Sequence, residues 1–220
     1  METQIDIFNK NFFYQELVEE ITFQVWSSLS SGEKSVSGYV NWVYDKRILQ
    51  GIPVVEWNYQ IIRYEDIDYE YDIWANAGPN ESFESSLNLS FILKKGKHIK
   101  KHTIPYAEIY STIAHELHHI AQNLCEKDSE LLDRIVPNLD PDYKMNYFMC
   151  PAEVEAFHVG YRAESFITGK PMEELMRAYL ENYKDELTDE QIETIIVAWL
   201  NPTFEVFNYD VNQEIIEEGE

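Results

Sequence analysis

A chain of 220 residues with 45% hydrophobic content and 15 tyrosines can bury one sizeable core, which argues against disorder. Its formal net charge of -23 repels phosphate backbones, so nucleic-acid binding of the usual basic kind is disfavoured, whereas solubility, attraction of a basic protein or mimicry of nucleic acid stay open. Cys125 and Cys150 are too few for a disulfide framework, Met1 to Asp6 lacks the basic and apolar regions of a signal peptide, and no stretch reaches membrane-spanning length, so a reduced, cytoplasmic setting is expected.

Phe13, Leu17, Ile21 and Val25 keep a helical period over residues 11 to 29, which Ser30-Ser31-Gly32 ends. Residues 36 to 50 carry Tyr39, Val40, Trp42, Val43 and Tyr44 without a clean period and fit strand or helix. Three strands follow. Val55, Trp57, Tyr59 and Ile61 alternate with polar residues, as do Tyr69, Tyr71 and Ile73 before a turn at Asn76-Ala77-Gly78-Pro79-Asn80, and Leu87, Leu89, Phe91 and Leu93 before Gly96. Strands joined by short turns usually pair, so a small antiparallel or mixed sheet is expected here. Lys94, Lys95, Lys97, Lys100 and Lys101, with His98 and His102 among them, form the one basic cluster and read as a solvated loop or a rim contact.

From Pro105 to about Cys125, Ile109, Ile113, Leu117, Ile120 and Leu124 recur at intervals of three and four, the spacing of a buried helical stripe. Thr112, His115, His119 and Gln122 fall on another face. Within this helix runs His115-Glu116-Leu117-His118-His119, an H-E-x-x-H pattern. Two imidazoles four residues apart project from one face about a turn from each other and can reach one metal ion. The intervening Glu116 then stands where it can take a proton from an activated water and pass it to a leaving amine. His118 is adjacent to His119, and it either points aside or takes a role toward substrate or behind the ligands.

Residues 126 to 150 form a polar connection broken at Pro137-Asn138-Leu139-Asp140-Pro141. A second helix runs from Glu153, behind Pro151, to about Ile167, with Val154, Phe157, Tyr161 and Phe166 available for packing and Gly169-Lys170-Pro171 as its stop. On it, His158 follows Glu155 by three and is either an oxyanion donor standing over a metal or an ordinary packed or surface histidine. Cys150, three residues before Glu153, is a small packed residue or a neighbour of the metal. Pro171 opens a helix through about Tyr183, and Thr188-Asp189-Glu190-Gln191 is a capping box for another through Leu200. The acidic end, Glu214 to Glu220, is expected to fray.

Ile113 to His119 followed by Glu153-x-x-Ala156 resembles the gluzincin branch of zinc metallopeptidases, in which a glutamate on a downstream helix is the third ligand. More narrowly, Tyr147-x-x-x-Pro151-x-Glu153-Val154-Glu155-Ala156 is similar to a run in small phage and bacterial metallopeptidases. The resemblance covers residues 105 to about 165. It implies a single zincin-like α+β domain over residues 1–220, sheet-rich at about 50–95, with metal-site helices at about 105–125 and 152–167 and a mainly helical C-terminal half. It further implies Zn2+ held by His115, His119 and Glu153, Glu116 as the catalytic base and acid, and a peptide or protein substrate in a bacterial or phage-infected cell, with no nucleic acid and no membrane. In a zincin the sheet's edge strand pairs with extended substrate, and residues 85 to 95 are the candidate for it, with an ordinary interior strand as the alternative.

Glu153 and Glu155 lie about 200° apart around a helix, so both cannot readily face one ion. Ala156, which lets the two metal helices approach, and Pro151, which sets the helix start close to Glu153, favour Glu153, leaving Glu155 to hydrogen-bond a ligand histidine or pair with Arg162. Two histidines and a carboxylate also suit iron, manganese or cobalt. A non-catalytic metal-binding interaction protein, such as a phage or host-interfering factor, and an acidic nucleic-acid mimic are the rival functions. Glu116 weighs against the first, because a purely structural site needs ligands and no base.

Overall fold

Trp57 and Tyr59 alternate with Asn58 and Gln60, and Leu87, Leu89, Phe91 and Leu93 alternate with Asn88, Ser90 and Ile92, so each strand offers one apolar face to a helical layer. In a computed structural model, which describes residues 15–31, 35–41, 54–64, 71–79, 85–95, 105–125 and 143–203, this patterning produces an α+β fold. Its strands are β1 (Ser35–Asn41), β2 (Val54–Tyr64), β3 (Tyr71–Pro79) and β4 (Ser85–Lys94), and helix α1 (Gln15–Ser31) precedes them. Helices α2 (Tyr106–Cys125), α3 (Tyr143–Phe148), α4 (Pro151–Thr168), α5 (Met172–Leu180) and α6 (Asp189–Leu200) follow, with a 3-10 turn at Glu181–Tyr183. The expectations for residues 1–14 and 42–53, for Tyr69, for the basic stretch beyond Lys95 with His98 and His102, for the connection over 126–142 and for the acidic end fall outside the described residues. No helix among the described residues is long and apolar enough to cross a membrane.

The sheet order is β1-β2-β4-β3, with β2 and β4 parallel and the outer pairs antiparallel. Residues 85 to 94 are therefore interior, which corrects the expectation that this strand is the edge: β4 inserts between β2 and β3, and β3 takes the edge. The turn expected at Asn76 to Asn80 also begins later, because β3 stays paired with β4 as far as Pro79 opposite Ser85. Residues 36–41 of the ambiguous early segment lie in strand β1, and Gly38 faces Trp57 across the ladder, where an added Cβ would lie 2.5 Å from the indole.

Side-chain size falls across the covered face of the sheet. Trp57 pairs with Leu87 and Leu87 with Ala77; Tyr59 pairs with Leu89 and Leu89 with Ala75. The two alanines leave room beneath the edge, and of the strands it is β3 that α2 packs against most. The opposite face carries amides, with Asn58 donating to Asn88 and Asn88 to Asn76.

Two apolar clusters result. The first joins Leu17, Ile21 and Val25 of α1, the covered face of the sheet, and the stripe Ile109, Ile113, Leu117 and Ile120 of α2; burial of each such side chain is worth about 1.5–3 kcal/mol. Leu124, the stripe's last member, lies outside the described side chains. The second joins Phe148, Phe157, Tyr161, Leu175, Met176, Leu180, Ile195 and Trp199. Phe166, expected to pack, is 68% exposed. Helix α4 belongs to both clusters, through Ala163 on one side and Phe157 on the other. It begins at Pro151 and ends where Gly169 adopts φ 71°, a left-handed cap that glycine takes without strain. The capping box at Thr188 and Gln191 is formed.

Candidate metal centre

Helical periodicity puts His115 and His119 on one face of α2, and the apolar stripe on the other side turns that face toward α4. There Ala156, Gly160 and Ala163 present almost no side chain. An added Cβ at Gly160 would meet the Ser111 carbonyl at 3.1 Å and His115 Cβ at 3.3 Å, so the two helices approach as closely as glycine permits.

The approach brings the first turn of α4 onto the histidine pair. His115 Nε2 and His119 Nε2 are 3.1 Å apart, Glu153 Oε2 is 3.4 Å from the first and Glu153 Oε1 is 3.5 Å from the second. Ligand bonds of about 2.0–2.1 Å in tetrahedral geometry place neighbouring donors about 3.3 Å apart, so these spacings suit one such ion. Glu153 Oε2 is buried with no hydrogen-bond partner, which fits a carboxylate held for a cation. Burial pushes the Glu153 carboxyl up, but the two imidazoles more than offset it and hold it well below its ordinary range. His115, His119 and Glu153 could thus hold a metal ion.

Glu116 is buried beside this group. Burial pushes its carboxyl up, Glu153 pushes in the same sense, and His115, His119 and the backbone N–H of Ala77 oppose them. A carboxyl with its pKa raised toward the working pH is suited to accept and return a proton. Ala77 lies on β3, so the edge strand reaches the centre of the site through its main chain. Tyr147 of α3 stands on the other side: burial, with the nearby carboxylates of Glu153 and Glu116, holds its phenol protonated far above its ordinary range. Phe157 packs its ring against His115 at 4.7 Å and stacks on Trp199 at 4.1 Å, coupling the imidazole to the second core.

A buried polar cluster backs the histidines. His119 Nδ1 is 2.8 Å from Gln122 Oε1; Gln122 Nε2 donates to the Ala152 carbonyl at 2.9 Å and to Glu155 Oε2 at 3.1 Å; His118 Nε2 meets the same Glu155 oxygen at 3.2 Å. Glu155 thus faces His118 and Gln122, away from the trio that includes Glu153. His118 points aside as expected, into this cluster, where burial lowers its pKa against the pull of Glu155. His158 takes a different part from the oxyanion donor considered for it: Nδ1 lies 2.7 Å from the Trp199 carbonyl, an obligate acceptor, so it donates to the end of α6. Cys150 precedes α4 at its cap position, half-buried and with a free thiol.

Three features at this site had no assigned role in the sequence. Gln122 shows itself there only by sharing a face with His115 and His119. Tyr147 opens the run that resembles small metallopeptidases but carries no role there, and it sits in a six-residue helix that looks like part of the polar connection. The Ala77 N–H has no side-chain signal at all. No protein-family model matches the chain, and no curated protein or solved structure matches it either.

Proposed function

We propose that the protein is a zinc-dependent metallopeptidase of zincin-like construction, with His115, His119 and Glu153 as ligands and Glu116 as base and acid. The observation that carries this is the trio of donor atoms 3.1–3.5 Å apart with the buried carboxylate of Glu116 beside it. A bound zinc ion would supply Lewis acidity, polarising a peptide carbonyl and making a water acidic enough to deprotonate near neutral pH. Glu116, partly desolvated, accepts the proton from that water and returns it to the departing amine. Tyr147 keeps its proton and so serves as a hydrogen-bond donor at the same edge of the site. The edge strand β3 offers an extended peptide a partner for main-chain pairing beside Glu116, which takes over the substrate role expected of residues 85 to 95.

Metal analysis of the purified protein with a peptide-library digest tests the proposal. Hydrolysis by the parent and a loss of at least about 100-fold in Glu116→Gln, with zinc content unchanged, is the expected result, since the amide keeps the shape but cannot accept a proton. A Glu116→Gln variant that digests as fast as the parent would overturn the role of Glu116. A parent that holds zinc and cleaves nothing in the library would favour the non-catalytic interaction protein.

A further inference from the structure

We propose that Gln122 is the positioning residue of this metal centre, fixing the tautomer of His119 so that Nε2 is the free donor and tying the histidine helix to the turn that carries Glu153. The inference rests on the zinc reading for its consequence, while its first step is a matter of hydrogen-bond direction alone. The Ala152 carbonyl can only accept, so the end of the Gln122 side chain 2.9 Å from it is the donating nitrogen. The amide oxygen is then the end that faces His119 Nδ1 at 2.8 Å, and an amide oxygen can only accept. Nδ1 therefore carries the proton, and in a neutral imidazole Nε2 is left with its lone pair, aimed at the space shared with His115 and Glu153.

Nothing in His119 itself selects this state. A ring with no partner at Nδ1 tends to protonate Nε2, the form that cannot bind a metal through that atom. Glu155 reinforces the choice from behind: its Oε2 accepts from Gln122 at 3.1 Å and from His118 at 3.2 Å, so an amide turned the other way would set an oxygen against an oxygen. Gln122 is 4% exposed, and water is therefore a poor substitute for any of these contacts. Because Ala152 immediately precedes Glu153, the same amide sets the distance between the second histidine and the third ligand.

The test is a long-range nitrogen–proton spectrum of the metal-free protein at about pH 9, where an ordinary imidazole is neutral. The parent is expected to show His119 as the Nδ1–H tautomer, and Gln122→Met to shift it toward Nε2–H. The tautomer of the parent, read by itself, keeps the question answerable if the methionine variant does not fold. Zinc affinity by chelator competition is expected to fall about 10- to 100-fold in Gln122→Met. An Nε2–H parent, or an unchanged Nδ1–H in Gln122→Met, overturns the assignment. A parent that binds no zinc sinks the metallopeptidase reading, and the tautomer result then decides Gln122 by itself.

Discussion

Glu153 and Glu155 show how two carboxylates two residues apart acquire different environments. Glu153 approaches both imidazoles, while Glu155 accepts from Gln122 and His118. Glu153→Ala is accordingly expected to lose zinc affinity by more than about 100-fold, and Glu155→Ala by about 10- to 100-fold, the range of changes behind the ligands. Chelator-competition titration of both variants checks this, and the reverse order would exchange their roles. The preference for Glu153 was legible because Pro151 and Ala156 flank it and the helical angle separates it from Glu155. The partner of His158 was not: it is a backbone carbonyl 41 residues away, and a carbonyl leaves no mark on the residue that bears it. Gln122 lies between these cases, since its face was readable but its three partners belong to two helices.

At the scale of elements, strand existence follows from alternation, which is local, whereas strand order does not. Neighbouring strands usually pair in sequence, and here β4 separates β2 from β3, so the open edge falls one strand earlier than the sequence suggests. Helix α3 escaped notice because Tyr143–Phe148 is too short to establish a period. The α2–α4 contact makes a sharper claim. Gly160 lies against Ser111 and His115, so Gly160→Val forces the helices apart where His115, a proposed ligand, is rooted. Overpacking of this kind costs about 1–3 kcal/mol, and each kcal/mol lowers Tm by about 2–4 °C in a domain of this size. A Tm drop together with weaker zinc binding is expected, by thermal melting with and without zinc. A valine variant that melts and binds like the parent would show that the helices have slack there.

For the whole molecule, the proposed metal and the cores would make separable contributions. Both apolar clusters are built without His115, His119 or Glu153, so chelation is expected to lower Tm yet leave a cooperative transition; a ligand present at a thousand times its Kd adds about 4 kcal/mol. Acidity acts on the two forms through different groups. Burial raises the carboxyl of Glu108, with Asp72 adding to the rise against the Tyr71 hydroxyl, and burial with the nearby Glu108 raises that of Glu164. Groups raised on folding bind more protons in the native state, so their stabilisation is present below the ordinary glutamate range and is lost as pH climbs through the raised values. A net charge of -23 adds self-repulsion that protonation relieves. Between about pH 8 and about pH 5.5 the chelated protein balances this carboxyl contribution against His118 and His158, whose pKa values burial lowers and which therefore favour the unfolded chain as pH falls. The zinc-loaded protein loses affinity over the same interval, because protons compete for the imidazoles. Melting curves at both pH values, with zinc and with chelator, are expected to show the two Tm values converging as pH falls, and a gap that widens on acidification would exclude histidine ligation.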